Sequence, residues 1–157
     1  ITKCLKQGVK LKIYQQCLEN QISEIKNIYK KFNIQSELFC FSENMIEYYN
    51  KSDLAITRSG ASSLAELTNL RIPFITIPLP SAADNHQFIN AKYFQEKGYC
   101  FLLEEKFISD RLNKILVDLY KNEKKLLSIK ENMSKHSDKN IFIKIEKLIT
   151  RILNEQN

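Results

Sequence analysis

Hydrophobic positions along the chain recur with two different periods. Val9–Gln16 (VKLKIYQQ) alternates apolar and polar residues with a β-branched bias, which predicts a strand. Gln21–Phe32 instead carries Ile22, Ile25, Ile28, Tyr29 and Phe32 at helical spacing, the pattern of an amphipathic helix. Ser36–Phe41 reads as a short apolar strand. The turn Phe41–Met45 follows, then a brief helix Met45–Asn50 with Met45, Ile46 and Tyr49 on one face. Leu54–Thr57 and Phe74–Ile77 are short and have few polar groups, as strands covered on both faces do. Each runs into a polar turn and then a helix, Ser63–Leu70 after the first and Asp84 to about Lys97 after the second. Tyr99–Leu103 reads as a last strand. Ile108–Lys121, with Ile108, Leu112, Ile115, Leu116 and Leu119 inward, Lys124–Lys135 and Asn140–Leu153 read as helices. At the front, Thr2–Gln7 reads as the end of a helix, closed by Gly8 in the left-handed conformation.

About five strands alternating with helices, then a helical tail, predict a doubly wound α/β domain with a parallel sheet. The opening helix implies a strand ahead of residue 1, and the missing initiator Met fits a piece of a longer polypeptide. In such a sheet ligands bind at the carboxyl ends of the strands. That directs attention to Asp53–Asn90, which holds all three prolines (Pro73, Pro78, Pro80), Gly60 and His86.

Composition narrows the function without naming it. The 157 residues are 43% hydrophobic and 27% charged, as in an ordinary globular domain. The net charge of +6 admits an anionic partner, but Lys and Glu alternate in KNEKK and KIEK, which favours a solvated surface over a nucleic-acid patch. No apolar run approaches the roughly 20 residues that span a bilayer, and ITKCLKQG is not a secretion signal. Cys4, Cys17, Cys40 and Cys100 are far apart with no CxxC spacing, which argues against zinc. Cys40 and Cys100 sit in strand-like runs and are expected to be buried thiols in a reducing, cytoplasmic setting.

The candidate chemistry lies in two βα turns. Arg58-Ser59-Gly60-Ala61-Ser62-Ser63 joins a strand to a helix. Gly60 allows a tight turn and a close ligand approach, and the N–H groups of Ala61, Ser62 and Ser63 at the helix start favour anionic or hydroxyl-rich groups. The same residues also fit an ordinary serine-capped turn. Glu66 could hold a ribose diol or could close a Ser63-x-x-Glu66 capping box. His86 and Gln87 could read sugar hydroxyls. Alternatively, Gln87 closes an Asp84-x-x-Gln87 box and His86 is a surface polar residue. Arg58 could neutralise a phosphate or pair with a local acid. His136 lies in the tail, far from His86, so no metal spacing arises. Ser59, Ser62 and Ser63 lack His/Asp partners and a GxSxG elbow, which argues against serine hydrolysis.

Taken together, Arg58-Ser59-Gly60-Ala61, Glu66, Pro78, Asp84, Gln87, Asn90 and Ala91 resemble the C-terminal domain of the MurG family of GT-B glycosyltransferases. These enzymes transfer N-acetylglucosamine from UDP-GlcNAc to lipid I in peptidoglycan synthesis. Tyr14-Gln15-Gln16 resembles the family's HQ-x-G strand end, with Cys17 in the glycine position. Phe41-x-x-x-Met45 resembles its F-x-x-x-M turn. The resemblance covers essentially the whole chain. It implies a Rossmann-like sheet, the C-terminal half of a GT-B fold. By the same resemblance the backbone at Ser42 meets uracil and Met45 packs beside the base. Within a substrate-binding turn of Arg58, Ser59, Gly60, Ala61, Ser62 and Ser63, Ala61 and its helix start meet the sugar and diphosphate; Glu66 meets the ribose, and His86 and Gln87 the GlcNAc hydroxyls. His86 stands where the family often has Gln.

The resemblance also implies a glycine-rich loop and an acceptor-binding N-terminal domain upstream. That domain would supply the catalytic base and the contact with the cytoplasmic face of the bacterial membrane. No cofactor, obligatory metal or nucleic-acid partner is implied, and the chain alone is expected not to turn over. Two other readings stay open: a stand-alone UDP-GlcNAc-binding subunit of a two-component transferase, and a non-catalytic basic module that binds nucleic acid.

Overall fold

The structure, a computed structural model, describes residues 2–136 and 146–152. In chain order the elements are α1 (Thr2–Leu5), β1 (Lys12–Gln16), α2 (Glu19–Lys31), β2 (Gln35–Phe39), α3 (Met45–Asn50) and β3 (Ala55–Thr57). Then come α4 (Ala61–Asn69), β4 (Phe74–Thr76), a 3-10 turn (Ala83–Asn85), α5 (His86–Glu96) and β5 (Cys100–Leu102). A 3-10 turn and a π turn (Glu105–Leu112) lead to α6 (Asn113–Lys121) and α7 (Glu123–Ser134). Residues 146–152 are helical. The tail helix expected over Asn140–Leu153 otherwise lies outside the described residues.

The strand–helix alternation read from hydrophobic period is present, and every strand pairing is parallel. Among the described residues the ladders form two groups, β1 with β2, and β3-β4-β5 with β4 central. The strands are shorter than their apolar runs. Val9 is buried yet precedes β1, because a turn closes there first: Gly8 adopts φ 83° and the Val9 N–H returns to the Cys4 carbonyl at 3.3 Å. β3, expected to be covered on both faces, is an edge strand, and Ile56 is half exposed. β2 ends at Phe39, so Cys40 falls outside the ladder and is exposed, against expectation; Cys100, inside β5, is buried as expected.

β4 is what the core is built around. Alternate side chains of a strand point to opposite faces, and all of Phe74–Thr76 is buried. On one face Phe74 packs with Leu64 and Leu67 of α4, Cys100, and Ile129 and Met133 of α7. On the other Ile75 packs with Cys4 of α1, Leu103, and Leu116 and Val117 of α6. Helices thus cover both faces of the three-stranded sheet, leaving the carboxyl ends of its strands to carry loops.

Candidate functional site

The loop after β3 enters α4 through Gly60. Gly60 is extended (φ −67°, ψ 132°), and the helix opens at Ala61, with no side chain capping it. The first turn therefore offers no partner to the N–H groups of Ala61, Ser62 and Ser63. Because the helix opens ahead of Ser63, the anticipated Ser63–Glu66 box is not formed. Gly60 is not required by its own backbone either: its φ is ordinary, and a Cβ there would meet only Ser63 Oγ, at 4.0 Å. The missing side chain opens space outside the chain, at the helix start.

Ser59 is fully buried. Its hydroxyl bonds Thr76 Oγ1 at 2.7 Å, its N–H donates to Gln87 Oε1 at 3.2 Å, and its carbonyl accepts from Asn90 Nδ2 at 3.2 Å. Its side chain thus faces β4 and holds the loop. Gln87 Oε1 also accepts the Leu79 N–H at 3.0 Å, tying the loop after β4 to the loop after β3. Gln87 therefore does not close a box with Asp84. Two backbone donors on one oxygen fix the orientation of this amide, and its NH2 is left as a pair of donors. Arg58, open between phosphate and acid, pairs with Glu105 at 2.6 Å; the same Nη1 reaches the Ile77 and Pro78 carbonyls at 3.5 and 3.4 Å. Its guanidinium closes the rim across the ends of β3, β4 and β5.

α5 starts from two consecutive left-handed residues, Asp84 (φ 48°) and Asn85 (φ 53°). Neither is glycine, so the turn is strained by about 1–3 kcal/mol per residue. It leaves His86 exposed, with Nδ1 2.7 Å from the Ala83 carbonyl. A carbonyl only accepts, so Nδ1 carries the hydrogen and Nε2 of the neutral ring presents a lone pair.

Glu66 projects from α4 toward α3, where it accepts the Tyr49 hydroxyl at 3.3 Å. Burial first, then the Glu66 charge, push the Tyr49 hydroxyl above its ordinary pKa, so it stays a donor at neutral pH. Ile46, Ser62, Glu66, Asn69 and Leu70 line an open cleft of about 570 Å³. Met45 opens α3, half-buried, and Ser42 Oγ accepts the Asn44 N–H at 3.1 Å, shaping the turn before it. The structure thus joins the Arg58–Ser63 loop to Gln87, with His86 beside Gln87. Glu66 lines the cleft with Ser62 and Ile46 and is tied to α3 through Tyr49, whereas Ser42 and Met45 lie at the entry to α3. Among the described residues no group of three or more His, Cys, Asp or Glu could hold a metal ion, and no helix is long and apolar enough to cross a membrane.

The model of the glycosyltransferase family 28 C-terminal domain matches residues 1–149. The chain belongs to glycosyltransferase family 28, as its C-terminal domain. Two curated relatives carry the name UDP-N-acetylglucosamine--N-acetylmuramyl-(pentapeptide) pyrophosphoryl-undecaprenol N-acetylglucosamine transferase. The protein from Pelagibacter ubique is 41% identical over 96% of this chain and 43% of its own length. That from Rickettsia felis is 41% identical over 93% of this chain and 41% of its own length. The crystal structure of Acinetobacter baumannii MurG superposes with a TM-score of 0.76 at 27% identity, over 96% of this chain and 46% of that one. This family 28 domain thus spans less than half the length of the relatives it matches. Its fold is the Rossmann-like C-terminal domain that the motif resemblance implied.

Tyr49, Thr76, Asn90, Glu105 and Ile46 of this family 28 domain lie at the loops and the cleft without having been expected there as site residues. Ile46 and Tyr49 were visible as one face of α3, and Asn90 as part of the D-x-x-Q-x-x-N-A pattern. Thr76 and Glu105 gave no signal, because only the fold brings them to Ser59 and Arg58.

Proposed function

We propose that this domain binds UDP-GlcNAc and is the donor half of an inverting glycosyltransferase that adds GlcNAc to lipid I in peptidoglycan synthesis. The observation that carries the reading is the 41% identity to transferases of that name over 96% of the chain. Gly60 supports it: the chain has no steric need for a glycine there, but a diphosphate approaching the α4 N–H groups does. Glu66, beside the cleft, holds the ribose hydroxyls, and the Ser42–Met45 turn takes the uracil. The Gln87 NH2 donates to a sugar hydroxyl, and His86 Nε2 accepts from one.

In the reaction the lipid I hydroxyl attacks the anomeric carbon. The new C–O bond forms as the bond to the diphosphate breaks, and that electron pair leaves on UDP. The helix-start N–H groups stabilise the developing charge, so that no metal is obligatory. The hydroxyl proton passes to a base in an N-terminal domain, which also supplies the acceptor site and the contact with the cytoplasmic membrane face.

Calorimetry with UDP-GlcNAc tests the reading. Glu66→Ala is expected to weaken binding about tenfold or more, by removing a charged acceptor from two ribose hydroxyls. Tight binding untouched by that change would sink the assignment.

A further inference from the structure

We infer that Asn90 is a positioning residue: by holding the Ser59 carbonyl it aims the N-terminal N–H groups of α4 at the diphosphate. The inference rests on the donor-binding reading and adds to it a residue that lies behind the ligand-facing rim. Ser59 sends its three polar groups each to a different neighbour. Thr76 fixes the side chain and Gln87 the N–H. Asn90 alone holds the carbonyl, and through it the plane of the next peptide. That plane is rigid and carries the Gly60 N–H. Whatever orients the Ser59 carbonyl therefore sets the direction in which the chain enters α4.

The joint needs holding because the residue after it is glycine. Gly60 has no Cβ and is not bent by steric necessity, and a Cβ there would meet only Ser63 Oγ, at 4.0 Å. Its backbone is the most permissive in the loop. Gly60 serves the ligand by being small, and the same smallness leaves the helix entry free to swing. Asn90 supplies the missing restraint. It sits three residues after Gln87 on α5, so both amides face the loop from one side of the helix. Since a carbonyl only accepts, Asn90 must present its NH2 to Ser59. Gln87 ties two loops, whereas among the described residues the Asn90 amide bonds only Ser59. Asn90 is therefore the cleaner probe of the loop.

The test uses the full-length polypeptide with Asn90→Ala and Asn90→Asp, the latter keeping the shape but losing the donor. Calorimetry compares UDP with UMP, which lacks the second phosphate. UDP affinity should fall about tenfold in both variants, with UMP affinity within about twofold. In the ligand-free protein, amide exchange at Ser59 and at Leu64, whose N–H bonds the Gly60 carbonyl at 3.1 Å, should quicken about tenfold. Exchange at Phe74–Thr76 should not change. Equal losses for UDP and UMP, unchanged UDP affinity, or exchange that quickens equally in β4 would overturn the inference. If the unaltered protein binds neither nucleotide, the donor reading fails instead, and the exchange comparison still decides whether Asn90 holds the loop.

Discussion

On the donor-binding proposal, Gly60 is the residue at which fold and ligand make different demands. Its φ suits any residue, and a Cβ has open space around it. Gly60→Ala should therefore leave the fold intact or stabilise it by about 0.4–1 kcal/mol, by restricting the unfolded chain. UDP-GlcNAc affinity should nevertheless drop about tenfold or more, because the new methyl group projects where the diphosphate must approach the α4 N–H groups. Thermal melting and calorimetry on the same sample check both halves; a loss of stability would show that the glycine serves the chain. In the sequence Gly60 marked a turn, and that much was legible. Its ordinary φ was not, since a glycine reads the same whether it is there for conformation or for space. Glu66 is a similar case. Its spacing from Ser63 suits a capping box, and only the helix start at Ala61 frees it to meet Tyr49.

Among the elements, β5 carries a buried thiol. Desolvation pushes Cys100 up from 9.0 to about 12. The folded state therefore holds this proton more tightly than the unfolded chain does. The associated stabilisation is complete below pH 9 and is lost as pH rises toward 12. Melting temperature followed across pH 9 to 12 should decline less steeply in Cys100→Ala than in the unaltered protein, whatever the offset at pH 7. The early part of that window is informative, since Tyr29, Tyr48, Tyr49 and Tyr99 are all raised from an ordinary value of 10.0. Element type was largely readable from hydrophobic period: α3 begins and ends where its pattern does. Strand ends were not, because β2 stops at Phe39 while the apolar run continues to Phe41. A run of apolar residues records burial and chain direction. The ladder records which partner is opposite, and the run contains no information about that.

At the scale of the molecule, the rim is one connected object. Arg58 reaches Glu105 and the carbonyls after β4, and Gln87 binds the loops after β3 and β4 with one oxygen. Most of the motif residues that carried the resemblance sit in these loops and in the helices α4 and α5 that follow them, which is why the family was legible in a sequence whose hydrophobic pattern specified only an α/β domain. The cross-links among the loops were invisible, since each joins residues 8 to 47 positions apart. Gln87 and His86 also differ in what they owe to the rest of the chain. The Gln87 oxygen cannot be lost without releasing two loops, whereas the hydrogen bond of His86 goes to its own turn, at Ala83. On the donor-binding proposal, position 86 is then free to change with the hexose while position 87 is held by folding. A library randomised at both sites and sorted only for folded, soluble protein should return many residues at 86 and mainly Gln or Glu at 87. An equally broad spectrum at 87 would show that the rim does not depend on its shared oxygen.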